Sequence, residues 1–119
     1  MAVTHPTATR NGIADYVVDQ LDSGTIEIQT SGDVEVATLT FGATAFGAAA
    51  AGVATANAIT SDSSATGGTA AKAQLKTSGS TAIVNCAVGT SGSDINLSSV
   101  TIGAGDTVSI SSLTYTAPA

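Results

Sequence analysis

The sequence predicts a mainly β protein: an antiparallel β-sandwich or jelly roll preceded by one N-terminal α-helix. Three observations predict it. Apolar residues recur at spacings of three and four only near the N-terminus, they alternate at period two through most of the remaining chain, and clusters of Gly, Ser and Asp cut that alternation into short runs.

The helix is read over residues 7–22, where Ile13, Val17 and Leu21, with Tyr16 and Val18 alongside, fall on one face. Thr7 or Thr9 can supply the N-cap oxygen, and Gly24 stands where a left-handed residue commonly ends a helix. Asp19 and Asp22 near its C-terminus oppose the helix dipole, a small and solvent-screened mismatch.

After Gly24 the period changes to two. Ile26 and Ile28 alternate with Thr25, Glu27 and Gln29, and Ser31, Gly32 and Asp33 then form a turn. A second strand follows to Phe41, in which Leu39 and Phe41 share one parity while Val34 and Val36 hold the other. Either the strand starts after Val36 or a bulge shifts its phase. Residues 41–58 are rich in Ala and Gly. That run is too broken by Gly and Thr to span a membrane, and it reads as a small-residue strand or loop packed closely on neighbouring backbone. Residues 61–69 read as an exposed, mobile loop.

Alternation resumes with Ala71, Ala73 and Leu75 on one side and Lys72, Gln74 and Lys76 on the other. A turn at residues 77–80 leads into Ala82, Val84, Cys86 and Val88. Gly89 to Asp94 turns the chain again, and short strands around Ile95, Val100, Val108 and Leu113 complete the series. The changes of phase between Leu97 and Val100 and between Ile110 and Leu113 fit bulges or strands crossing between sheets. Residues 25–117 therefore make the sandwich, residues 7–119 one domain, and residues 1–6 an N-terminal arm.

Composition limits the chemistry. The chain's 119 residues include one His, one Cys and no Trp, and its nine acids are scattered singly, which argues against catalysis and against cofactors. A formal charge of −6 with only Arg10, Lys72 and Lys76 as basic side chains argues against nucleic acid, and no basic amphipathic helix suggests a membrane surface. The first residues lack the basic and apolar regions of a secretory signal, so synthesis in the cytoplasm is expected. With 3% aromatics and many Ala residues the core is thin, and oligomerisation is the expected compensation.

Each candidate site has a plain alternative. Asp62, Asp94 and Asp106 sit in Gly- and Ser-rich loops that can converge on calcium, yet no EF-hand spacing is present and solvated turn aspartates are the ordinary case. Gly103 to Asp106 lacks the Lys and following helix of a phosphate loop and reads as a β-turn. Cys86 lies within an alternating run and reads as a small core residue, and His5 as a tail residue. The aromatics Tyr16, Phe41, Phe46 and Tyr115 read as core packing.

Three stretches carry a family resemblance: residues 8–15 (ATRNGIAD), residues 45–57 (AFGAAAAGVATAN) and residues 104–109 (AGDTVS). Together they resemble small structural proteins of tailed bacteriophages, most of all capsid decoration, or cement, proteins. The resemblance runs over nearly the whole chain, through segments of low complexity, and carries over no functional residue. It implies a β-rich protein bound in many copies outside the major capsid protein shell, bridging its subunits at the outer surface of the virion. A core-poor subunit that gains from assembly, a Thr- and Ser-rich β surface, and a negative charge that opposes placement against packaged DNA agree with that implication. The contact residues expected are those of the arm and the helix start: Ala2, Val3, Thr4, His5, Pro6, Thr7 and Arg10, with a frayed terminus as the plain alternative. The helix face Ile13, Val17 and Leu21 is expected to pack on the sandwich. A tail, fibre or baseplate component is the alternative role. A carbohydrate-binding sandwich is weaker, because the chain has no Trp to form a sugar platform.

Overall fold

The computed structural model describes residues 4–110 and 112–117. Helix α1 (Thr7–Asp19) starts without a side-chain cap: Pro6 occupies the N-cap position in extended conformation, so neither Thr7 nor Thr9 plays that part. The fixed φ of proline prepares the first turn instead, and the Pro6 carbonyl accepts the Arg10 N–H at 3.0 Å. The helix ends earlier than its apolar spacing suggests, with Gln20 as C-cap, and the left-handed residue of the exit is Ser23 rather than Gly24. Gly24 is required for a different reason. A methyl group built there would overlap the Lys76 carbonyl and stand 2.9 Å from the Leu21 carbonyl, so the helix exit passes the sheet only because this residue has no Cβ.

The buried helix face is rotated by about one residue from the expected one. Ala14 and Val18, and Leu21 just beyond the helix, are buried, Ile13 packs beside them, Val17 is half-buried, and Tyr16 is 72% exposed. The expectation that all four aromatics pack in the core therefore fails for Tyr16. Phe41 and Phe46 do meet in the core, their ring centroids 5.6 Å apart.

Nine of the strands follow as β1 (Thr25–Gln29), β2 (Glu35–Phe41), β3 (Val53–Thr55), β4 (Ile59–Thr60), β5 (Gly68–Thr69), β6 (Lys72–Lys76), β7 (Ala82–Gly89), β8 (Ile95–Asn96) and β9 (Thr101–Ile102), with β10 (Thr114–Thr116) last. Six of them form one sheet in the order β4-β2-β1-β6-β7-β8, and β3–β10 and β5–β9 make two-stranded ribbons. The fold is thus mainly β, antiparallel-rich and sandwich-like, with a single N-terminal helix among the described residues. Among the described residues the one parallel pairing of strands is β7 with β8.

Rows of side chains across the sheet explain the core. Ile26 stands opposite Leu39 and Leu75, and Ile28 opposite Ala37 and Ala73, all of them buried. The alternate rows, such as Thr38, Glu27, Gln74 and Asn85, form the polar outer face. The clash of parity in the second strand is a bulge. Ile28 pairs with Ala37 but Gln29 with Glu35, so Val36 is the extra residue, and Val36 and Ala37 are both buried while Val34 is 60% exposed. In the turn that precedes it, the Thr30 hydroxyl oxygen accepts the N–H of Gly32 and of Val34, and Asp33 adopts φ 68°.

Residues 61–69 are not a free loop. Asp62 and Val108 exchange main-chain hydrogen bonds, the Val36 carbonyl accepts the N–H of both Thr66 and Gly67, and Ala65 is buried. The segment is exposed along much of its length, as expected, but it is tied to β2 by these bonds and by the Asp62 carboxylate on the Thr38 N–H.

Replacing Gly24 with Ala should lower the free energy of unfolding in urea by about 2–3 kcal/mol, the range of severe overpacking. Gly12, a helix position with nothing within 4 Å of its would-be Cβ, is the contrast: Gly12→Ala should raise stability by roughly 0.5–1 kcal/mol.

Candidate functional site

The Ala/Gly run is shaped by side chains that belong to other segments. Residues 46–56 fold back on themselves, with Phe46 bridged to Ala56 and Ala50 to Val53, and the arch continues into β3 against β10. Alanine and glycine have no polar side-chain atoms, so neighbouring segments supply the acceptors for the arch. Asn11 Oδ1 accepts the Gly52 N–H, Asp15 Oδ1 accepts the Ala49 N–H and Asp22 Oδ1 accepts the Ala45 N–H, each at 2.8 Å. These three residues flank Ala14, Val18 and Leu21, which explains the rotation of the buried face: it is set by acceptors and apolar groups together.

Arg10 completes the clamp. Its guanidinium lies against Gly52, where a Cβ would come within 2.7 Å of Cζ, and Nη2 donates to the Ala117 carbonyl at 3.4 Å. Gly52 also has φ +78°, so it is required on two counts. Arg10 Nε is buried with no hydrogen-bond partner among the described residues.

Of the expected contact residues, Ala2 and Val3 lie outside the described residues. Thr4, Pro6 and Thr7 are exposed and His5 is half-buried, whereas Arg10 is engaged inside the molecule and is no part of a free arm. The three loop aspartates do not converge. Asp62 accepts the N–H of Thr38 and Ser64, Asp94 that of Ala87, and Asp106 that of Gly103, and no group of three or more potential metal ligands occurs among the described residues. Gly103–Asp106 is a tight turn closed by the Asp106 N–H on the Gly103 carbonyl.

Taken together, five of the nine acids accept main-chain N–H groups: Asp15, Asp22, Asp62, Asp94 and Asp106. Glu27 pairs with Lys76 and Asp33 with Lys72, and Glu35 accepts the hydroxyls of Thr38 and Thr66. The Lys72 pair is exposed and so contributes little, while the amide-bound carboxylates define loop shapes directly. On the outer face Gln29, 6% exposed, donates to Gln74, which donates onward to Asn85.

Three of the clefts on the surface bear on the candidate residues. One, of about 350 Å³, lies between residues 97–102 and 106–109, and one of about 440 Å³ lies over residues 71–74 and 85–87. The second, of about 410 Å³, is bounded by residues 84–86 of β7 on one side and residues 113–116 on the other, with Ser93 and Asp94 also lining it. Cys86 lines this second cleft, half-buried rather than fully in the core, and burial followed by the nearby Asp94 charge pushes its thiol from 9.0 up to about 11. No helix among the described residues is long and apolar enough to cross a membrane. Comparison with protein-family models, with curated proteins and with solved structures gives no match.

Asn11→Ala and Asp15→Ala should each cost about 1–2 kcal/mol in urea unfolding, because a part-buried amide of the arch loses its acceptor. Asp15→Asn, which keeps an oxygen in place, should cost less. Cys86 holds its proton more tightly in the folded than in the unfolded chain, so the thiol contributes stability that is lost as pH rises from 9 through about 11. Thermal melts across that window should fall less steeply for Cys86→Ala than for the parent protein.

Proposed function

We propose that this chain is a structural protein of a tailed-phage virion, bound to the outside of the capsid shell, where it bridges major capsid protein subunits. The observation that carries this reading is the use made of the acids. Eight of nine act as internal staples for main chain, hydroxyls or lysines, which suits a subunit selected for a fixed shape rather than for proton transfer. The outer rows of the sheet add a face of Thr, Gln, Asn and Lys that can hydrogen-bond a neighbour, and the resemblance of residues 8–15, 45–57 and 104–109 to decoration proteins points the same way.

Such a protein works by burial. Each copy that binds only the assembled, expanded shell adds contacts that must break before the shell opens, and the effect is multiplied over every occupied position. The net charge of −6 favours the outside of the shell, away from packaged DNA. Self-association is expected to accompany binding, since a thin core gains from being covered.

Quantitative mass spectrometry with cryo-electron microscopy of virions tests the assignment: copy number comparable to the major capsid protein, with regular density outside the shell, is expected. A few copies confined to the tail, or absence from particles, would reject it. Because Arg10 stitches the helix to the arch, the arm is tested cleanly by deleting residues 2–4 only. The truncated protein should melt as the parent does and occupy particles less; full occupancy would reject a contact role for Ala2, Val3 and Thr4.

A further inference from the structure

Two strands leave main chain without a strand neighbour beside one cleft: β10 on its side away from β3, and β7 before its short parallel pairing with β8 at Val88 and Gly89. On β10, the Ala56 N–H donates to the Leu113 carbonyl at 2.8 Å and the Ala117 N–H to the Gly52 carbonyl at 2.9 Å, with Tyr115 opposite Ala54 between them. Strand alternation therefore turns the main-chain groups of Thr114 and Thr116 away from β3, where they meet no partner among the described residues. On β7, the Val88 N–H donates to the Ala71 carbonyl at 3.2 Å, which directs the main chain of Cys86 and Val84 toward β6 and that of Asn85 and Ala87 outward. The Ala87 N–H is taken by Asp94 Oδ2 at 2.9 Å; that of Asn85 is open.

The cleft of about 410 Å³ is lined by consecutive residues of both strands, 84–86 and 113–116, not by alternate ones. The cleft thus runs beside the stretches of both strands whose outward main chain has no strand partner. Val84, Cys86, Leu75 and Leu113 give it an apolar floor, and Asp94 is the one charged group in its lining.

We propose that this cleft is a strand slot, filled by an extended segment of a different protein that adds between β7 and β10 through main-chain hydrogen bonds. The guest presents small or β-branched side chains to the floor and a Lys or Arg to Asp94. A second copy of this chain is a poor guest by charge. It carries −6 overall, and two of its three Lys and Arg side chains are engaged internally, Lys76 to Glu27 and Arg10 to Gly52 and Ala117. The bulge at Ile83 and the capped Ala87 N–H restrict the open part of β7 to the neighbourhood of Asn85, which guards against indiscriminate edge pairing. The slot is independent of which particle carries the protein, so a tail location would leave it standing.

The test is selection of the intact protein against a display library of random decapeptides. Enriched peptides should alternate β-branched residues with polar ones and carry Lys or Arg. Asn85→Pro and Thr114→Pro should each weaken them about tenfold or more, because proline at an outward-facing amide removes a donor to the guest and none from the sheet. Asp94→Asn should fold normally and lose the basic preference. Should a proline variant unfold, amide exchange on the parent protein decides: bound peptide must protect Asn85, Thr114 and Thr116. No enrichment, peptides indifferent to these variants, or protection elsewhere would overturn the slot, and self-association abolished by Asn85→Pro would assign it to a second copy instead.

Discussion

The structure depends on side-chain oxygens that hold the main chain of segments unable to hold themselves. The arch of residues 46–56 is made mostly of Ala, Gly and Thr, which bury little apolar area per residue and offer few groups to fix a path. Asn11 and Asp15 on α1 and Asp22 just past it supply the missing partners, and Arg10 lies flat on Gly52 to close the far end. A helix that in most small domains would dock by a broad apolar stripe here docks by a narrow one, Ala14, Val18 and Leu21, edged with acceptors. The same device recurs in the β region, where Asp62, Asp94 and Asp106 fix loops by accepting N–H groups.

Much of the sheet was legible in the sequence because period-two burial leaves a direct trace. Ile26, Ile28, Ala73 and Leu75 are buried as their alternation demands, and the change of parity at Val36 marks a real bulge. The ends of the helix were less legible. Thr7 and Thr9 are good capping residues by type, but Pro6 sets the first turn, and Gly24 looked like a helix terminator when its place is a close approach to β6. The strand order β4-β2-β1-β6-β7-β8 and the ribbons β3–β10 and β5–β9 depend on contacts remote in sequence, which periodicity does not encode.

The clamp residues were the largest omission from the sequence reading, although a signal was present. Asn11, Asp15 and Asp22 fall on one stripe with Ala14, Val18 and Leu21; a reading confined to apolar spacing selected Ile13, Val17 and Leu21, with Tyr16 and Val18 alongside, and so found Leu21 and Val18 but missed Ala14 and the acceptors. Asp62, read as a turn aspartate, does accept the Ser64 N–H of its own turn, but its second oxygen also pins β2 at Thr38, a contact remote in sequence. Many polar groups in this chain thus report on internal architecture.

Residue-resolved hydrogen exchange tests this arrangement most directly. If side-chain acceptors hold the arch, the amides of Ala45, Ala49 and Gly52 exchange slowly, near the rate of the central strands, while those of Asn85, Thr114 and Thr116 exchange fast in the isolated protein. Arch amides exchanging as fast as those of the open edges would contradict the account, because the helix clamps would then hold nothing in place.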